Sequence, residues 1–416
     1  MKKIFFLFLM QFAFTGILLS QNYNWITPNK TYLKMYVADD GMYRIDRNDF
    51  TNAGINTTGL DPRTVKLYNK GVQIPVSFNG EQDGTFDPSD YLDFYGQRNY
   101  GGNVKSYDHN NNLFFTTDEY YNEYSDTNVY WLDWGGALGT RFAQFNYPVG
   151  TNYSGVSFSE VKTFDKNYFY SQGENISSTD YRYLSTERFQ GEGWYWATLN
   201  DNQTLTETFT LPYLSPTVTT ASIYIFAYPR VRNTSILNEH NLEVKVNGNV
   251  VAYITKNDFI RFDSTITFSS SLLVTGTNTV IVKYIPTAAT SGGVYFDKFK
   301  INYPRKFTFE NAIVSSNLSS SVDTTTKKFN ISGYNSVNPV NIYDVNNFKK
   351  ISGNTFIADT LKFSAKSNSN FQIVNNNITK KPFRIKQKQV PNLVSNSNGA
   401  DYLIIYNKIF EVSISA

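Results

Sequence analysis

The sequence contains no cysteine and only two histidines among 416 residues. Disulfides, thiolate nucleophiles and cysteine-ligated metals are therefore excluded. A Ser-His-Asp arrangement would have to use His109 or His240. Neither stands in a Gly-x-Ser-x-Gly context. His109 lies in the polar "SYDHNNN" and His240 in "NEHNLEV", just ahead of a strand, so ordinary hydrogen-bonding roles are expected for both. Two imidazoles without thiols do not make a histidine-rich zinc site. A charge excess is missing as well: 38 basic residues against 35 acidic ones leave +3. That is too weak a field to imply nucleic acid or an acidic membrane as partner. The glycines of "FYGQRNYGG" lack the strand and helix that frame a phosphate cradle. A carboxylate-based hydrolase stays compatible with the many Asp and Glu residues.

Long apolar runs are absent except at the start. "MKKIFFLFLMQFAFTGILLSQNYN" places Lys2 and Lys3 before an apolar run from Ile4 to Leu19. The run lacks the length and flanks of a spanning helix. It reads as a secretory signal peptide over 1–20, cleaved between Ser20 and Gln21. The alternatives are an uncleaved anchor or a lipoprotein, and a lipoprotein is excluded, since there is no cysteine to acylate. The expectation is an exported chain with no integral membrane segment after cleavage.

What the sequence has in abundance is aromatic residues, 31 Tyr and 33 Phe, which suit pleated surfaces. The length implies several domains. Region 21–150 reads as an N-terminal β-rich domain. "TYLKMYVADDGMYRI" predicts a hairpin turning at "DDG", and "DRNDFTNAGI" a short helix capped near Asp46 or Asn48 and ended by Gly54. "VKLYNKGVQIPVSF" predicts a second hairpin, and "NVYWLDWG" a strand stopped by Gly135 and Gly136. Region 151–305 reads as a jelly-roll-like β-sandwich. Its clearest hairpin is "LEVKVNGNVVAYI", turning at Asn247-Gly248. In "GTNTVIVKYI", Val280, Val282 and Tyr284 share a face. In "VYFDKFKINYPR", Phe296, Lys298 and Lys300 are expected opposite Asp297, Phe299, Ile301 and Tyr303. Region 306–395 reads as a small β-domain with strands in "KKFNISGY", "PVNIYDVNNF", "TLKFSAKS" and "FQIVNN". The remainder, 396–416, reads as a linker and then "DYLIIY", Asp401 to Tyr406. That continuous apolar run suits the opening strand of an α/β domain buried on both faces. The fold class is thus mostly β and multidomain, with only the first strand of an α/β domain at the C-terminus.

Two clusters are candidate binding sites. In "NGEQDGTFDPSD", oxygen side chains fall at positions 1, 3, 5, 9 and 12 of a twelve-residue loop: Asn79, Glu81, Asp83, Asp87 and Asp90. Gly84 holds position 6 and Phe86 position 8. A hard cation with six or more oxygen ligands needs such a spacing, so calcium is the one cofactor to consider, and none is required. The competing reading is an acidic turn whose Asp83 and Asp87 bond nearby backbone amides. In "GEGWYWATLNDN", Trp194 and Trp196 offer rings for glycan stacking, against the alternative that they fill a core or a domain seam.

Four stretches, in order, resemble the long N-terminal part of the gingipain-type cysteine peptidases of Bacteroidetes, a family exported by the type IX secretion system. They are "DGMYRIDRNDFTNAGI", "GLDPRTVKLYNKGVQIPVSFNGEQDGTFDPSDYLDFYGQRN", "DTNVYWLDWG" and "GADYLIIYNKIF". The resemblance implies a peptidase parent whose catalytic His and Cys lie beyond the opening strand, and so beyond Ala416. The chain is then expected to be an exported, non-catalytic, prodomain-like portion, itself inactive. Its partner would be a peptidase domain, and its place the periplasm, whereas full-length family members reach the cell surface or the medium. Two alternatives stand beside this reading. One is a free-standing envelope protein that binds a glycan or another protein. The other is a fragment of a type IX secretion signal peptidase relative.

Overall fold

A computed structural model describes residues 25–107, 113–122, 124–148, 152–153, 157–171, 193–231, 235–257, 260–287, 292–310, 313–317, 325–334, 339–375 and 379–392. The signal segment 1–20, His109 and the strand expected at 401–406 lie outside the described residues. Among those described, strands dominate, beside one short α-helix, as the aromatic-rich composition predicts. No described helix is long and apolar enough to cross a membrane.

The N-terminal unit departs from the sequence reading at its first turn. Thr31–Val37 and Gly41–Asp46 are both strands, but they do not form a hairpin. Thr31–Val37 pairs with Asn128–Asp133 on one side and Arg384–Gln389 on the other. Gly41–Asp46 pairs with Tyr91–Gly96 in a second sheet. The intervening turn is tied to the following segment: the Asp40 carboxylate accepts hydrogen bonds from the Arg98 amide (2.9 Å) and the Tyr100 hydroxyl (2.8 Å). The chain therefore crosses between sheets, and the inward residues of both, including Leu33, Met35, Ile45 and Leu92, close one core. The other local expectations hold. Lys70 and Gly71 take positive φ (49° and 84°) between the paired strands Lys66–Asn69 and Val72–Ile74. The helix Arg47–Asn52 starts from an Asp46 cap with a reciprocal Asp49 contact, a capping box.

The sandwich is a jelly roll by strand order. Its eight strands in chain order are Ala197–Asn200, Thr204–Leu211, Thr220–Pro229, His240–Val246, Asn249–Lys256, Phe262–Ser269, Gly276–Pro286 and Gly293–Lys306. One sheet contains the first, eighth, third and sixth, the other the second, seventh, fourth and fifth. Ser157–Asp165 extends the first sheet along the far end of Gly293–Lys306. The expected alternation of that last strand is corrected by a β-bulge. Phe226 pairs with Lys298 and Ala227 with Phe296, so Asp297 is the extra residue. The bulge shifts the phase: Phe296 faces the core together with Phe299, Ile301 and Tyr303. Asp297 and Lys298 are both left buried, with Lys298 Nζ 3.5 Å from Asp297 and 3.8 Å from Asp165.

The third unit contains the four expected strands, as Thr326–Ile331, Val340–Asp344, Thr360–Lys366 and Asn370–Asn375. Two sheets enclose a core of Phe329, Ile331, Ile342, Phe363, Phe371 and neighbours. The sequence-drawn borders cut through sheets. Ala143–Phe145 and Asn152–Tyr153, near the expected 150/151 border, pair in parallel with strands of the third unit. Arg384–Gln389, expected in the third unit, forms the edge of the first sheet. Such long-range pairings leave no local periodicity to read.

Candidate functional site

The acidic loop begins at the end of the strand Ser77–Asn79 and turns through a 3-10 segment, Glu81–Asp83, bracketed by Gly80 and Gly84 in left-handed conformations. Gly80 is required on two counts: its φ is +96°, and a Cβ there would meet Asp90 Oδ1 at 1.8 Å. Three of the four carboxylates, those of Glu81, Asp83 and Asp90, are engaged by protein donors. Asp83 accepts from the Thr85 amide at 2.9 Å. Buried Asp90 accepts from the Asp87 amide at 2.9 Å. Glu81 forms an ion pair with Arg141 at 2.8 Å. Arg141 in turn donates to the carbonyls of Pro62 and Val65, fastening the loop to the turn beside it. Asn79 is exposed at the strand end. Among the described residues no group of three or more His, Asp or Glu side chains gathers as a metal site does. The loop is built as an interlocked turn, with Asp90 taking the amide-capping role expected of Asp87.

The two tryptophans part company. Trp196 is 5% exposed within the sandwich core, its ring parallel to Phe299 at 5.8 Å. Lys166 Nζ covers it at 4.4 Å. Trp196 thus takes the core position that was the alternative to glycan stacking. Trp194 is 38% exposed and packs edge-on against Tyr170. The short run Trp194-Tyr195-Trp196 turns one ring outward and two inward. His240, the first residue of its strand, is fully buried. Its Nε2 faces the Val231 carbonyl at 3.1 Å, and its Nδ1 faces the Tyr284 hydroxyl at 2.9 Å. A carbonyl only accepts, so Nε2 carries a proton, and the Glu239 carboxylate lies 3.5 Å from the same nitrogen.

The most integrated polar cluster was not singled out from the sequence. It lies where the first and third units meet. Arg44 grips Asp93 through Nε (2.7 Å) and Nη2 (2.8 Å) in a two-pronged ion pair. The Tyr343 hydroxyl donates to the same carboxylate at 3.0 Å. Lys350 donates to Ser77 Oγ at 3.3 Å. Arg44 also lies 3.6 Å above the Tyr91 ring. Burial, then the Asp93 charge, pushes the Tyr343 hydroxyl well above its ordinary range. Burial also lowers the Lys350 ammonium. Beside this cluster Met42, Phe142, Tyr343, Val345 and Val374 form an apolar patch shared by both units. "YLDFYG" and "NIYDV" each read locally as strands, and nothing in either reveals that they meet. These groups link the first and third units.

No family model matches the sequence, and no curated protein sequence matches it. Among solved structures the fold is similar to dimeric latent PorU from Porphyromonas gingivalis. The TM-score is 0.60 with 14% identity, over 87% of this chain and 33% of that one. The chain thus spans about a third of the length of PorU, and the likeness establishes a PorU-like, β-rich, multidomain fold. A β-porphyranase of glycoside hydrolase family 86 from Bacteroides plebeius overlaps 67% of this chain and 35% of its own, at 10% identity and a TM-score of only 0.21. A putative β-galactosidase from Bacteroides fragilis overlaps 57% and 36%, at 13% identity and 0.19. Scores that low carry no fold relationship.

Proposed function

We propose that this chain is a non-catalytic N-terminal portion of an exported, gingipain-related cysteine peptidase of the PorU type, serving as a scaffold for a peptidase domain. The observation that carries the reading is the coincidence of two independent likenesses. The ordered motifs from "DGMYRI" to "DTNVYWLDWG" point to the N-terminal part of that family. The fold follows PorU over 87% of the chain while spanning 33% of PorU. The chain has no cysteine, so the family's thiolate chemistry would have to come from another domain. The scaffold role is supported by the Arg44–Asp93–Tyr343 seam, which fixes the first and third units against each other and so can present a composite surface to a partner. Periplasmic residence is part of the same proposal.

The test is binding in trans. The purified chain should bind the separately expressed catalytic segment of P. gingivalis PorU in a gel-shift or calorimetric assay and show no peptidase activity alone. Absence of any complex at about 100 μM, weaker than a specific interface normally gives, would overturn the scaffold reading. A reading frame continuing past the Ala416 codon into a His and then a Cys would support the peptidase parentage. A separately promoted gene ending there would favour a free-standing binder.

A further inference from the structure

A cleft of about 790 Å³ opens where the jelly roll meets the third unit. One wall is the loop Ser215–Thr217 with Lys306, the last residue of the long strand Gly293–Lys306. The other wall is the outer face of the sheet that contains Thr326–Ile331 and Thr360–Lys366. There Asn330 and Lys362 stand directly opposite each other. Their neighbours Phe329, Ile331, Leu361 and Phe363 point the other way, into the core. Phe307, buried against Phe158, joins the two walls.

The lining carries two ammonium groups and no carboxylate. Neither Lys306 nor Lys362 has an ion-pair partner among the described residues. The neighbouring acids are already engaged. Asp359 accepts from the Thr360 hydroxyl (3.1 Å) and the Gly333 amide (3.3 Å). Glu160 and Glu310 are held by Arg305 at 2.9 and 2.8 Å. Hydroxyls of Ser215 and Thr217 lie 3.0 Å apart, and those of Thr308 and Ser332 3.2 Å apart. Ser332 Oγ also donates to the Phe307 carbonyl at 3.4 Å, so that pair keeps acceptor capacity, while the Ser215–Thr217 pair keeps both a donor and acceptors.

We propose that this cleft binds an acidic oligosaccharide, its carboxylate or sulfate groups taken by Lys306 and Lys362 and its hydroxyls by the Ser, Thr and Asn330 side chains. Unpaired cations in a concave site attract an anion, and a cleft between domains of this size suits a small ligand. An acidic peptide fits less well. The wall is the face of a sheet, whose backbone groups are already paired in the ladder. An extended peptide would find only the short edge strand Thr355–Ile357 there to pair with, three residues long. A saccharide needs only the side-chain hydroxyl, amide and ammonium groups present. The inference does not depend on the peptidase reading.

Calorimetry at low salt tests it, using a uronate-containing tetrasaccharide, the neutral cellotetraose and hexaglutamate. The uronate should bind with a Kd below about 1 mM, and Lys306→Gln and Lys362→Gln should each weaken it about tenfold, the loss of one charge-assisted contact. Lys→Arg at either position should retain most of the affinity, which separates lost charge from disturbed folding. Replacing the uronate with a sulfated tetrasaccharide shows which anion is preferred, and binding of either supports the proposal. It is overturned if neither acidic sugar binds at about 10 mM. It is also overturned if the double Gln variant binds as the parent does, or if hexaglutamate binds as tightly as the sugars.

Discussion

Tyr343 donates its hydroxyl hydrogen to Asp93 at 3.0 Å, joining residues 250 positions apart in the chain. Asp93 is 1% exposed and also holds Arg44. Asp93→Ala would leave the Arg44 guanidinium half-buried without its counter-charge and should cost about 3–5 kcal/mol. Tyr343→Phe removes one hydrogen bond to a charged acceptor and should cost about 1.5–3 kcal/mol. Urea denaturation of both variants measures the order, and a larger loss for Tyr343→Phe would contradict the seam as described.

Alkaline pH should loosen the molecule. Burial pushes the Tyr43 and Tyr130 hydroxyls up to about 12, and it raises Tyr343 well above its ordinary range. An unfolded tyrosine ionises near 10. Above that pH the unfolded state has lost protons that the folded state keeps, so stability falls as pH rises. The stabilisation is fully present below about 10 and is lost progressively through 12 and beyond. The melting temperature should drop over that window while tyrosinate absorbance lags in the folded protein. Tyr130→Phe should make the drop shallower, and an unchanged slope would show that these phenols do not govern it.

The loop from Asn79 to Asp90 gives a sharp contrast between turn and metal site. Gly80→Ala forces a Cβ into the Asp90 carboxylate at a positive φ and should cost about 2–4 kcal/mol, combining strain with a displaced buried acid. Asp83→Ala removes one exposed amide contact and should cost about 0.5–1.5 kcal/mol, equally with and without calcium. A calcium-dependent rise in melting temperature that Asp83→Ala abolishes would favour the ion over the turn.

Trp196→Ala should cost about 3–5 kcal/mol, because it opens a cavity in the sandwich core. Trp194→Ala, at a half-exposed ring, should cost under about 1 kcal/mol. If the outward ring binds sugar, glycan-array signals will vanish in Trp194→Ala while the melting temperature holds. A flat array for the parent protein removes that role.

Local sequence signals suffice where local physics decides. The Asp46 cap, the Lys70-Gly71 and Asn247-Gly248 turns and the inward Val280, Val282 and Tyr284 each depend on a few adjacent residues. The expectation failed where one more residue or a distant strand intervened. The bulge at Asp297 moved Phe296 to the core face. The "DDG" turn joined two sheets because Asp40 is held by residues near 100. Trp196 and Trp194 could not be sorted by sequence, since which ring turns inward depends on the sheet packed against it.

The sequence by itself determined a β-rich chain without thiol chemistry, its turns, its helix cap and the approximate place of the sandwich. Composition excludes a cysteine nucleophile outright, and short-range backbone preference specifies turns without reference to the rest of the chain. Only the tertiary structure decided that Arg384–Gln389 completes the first sheet, that Asp93 meets Tyr343, and that Lys306 and Lys362 face one cleft. Those relations come from closing loops tens to hundreds of residues long. Their partners are selected by which apolar faces must be buried together, a global condition that no short window of sequence contains.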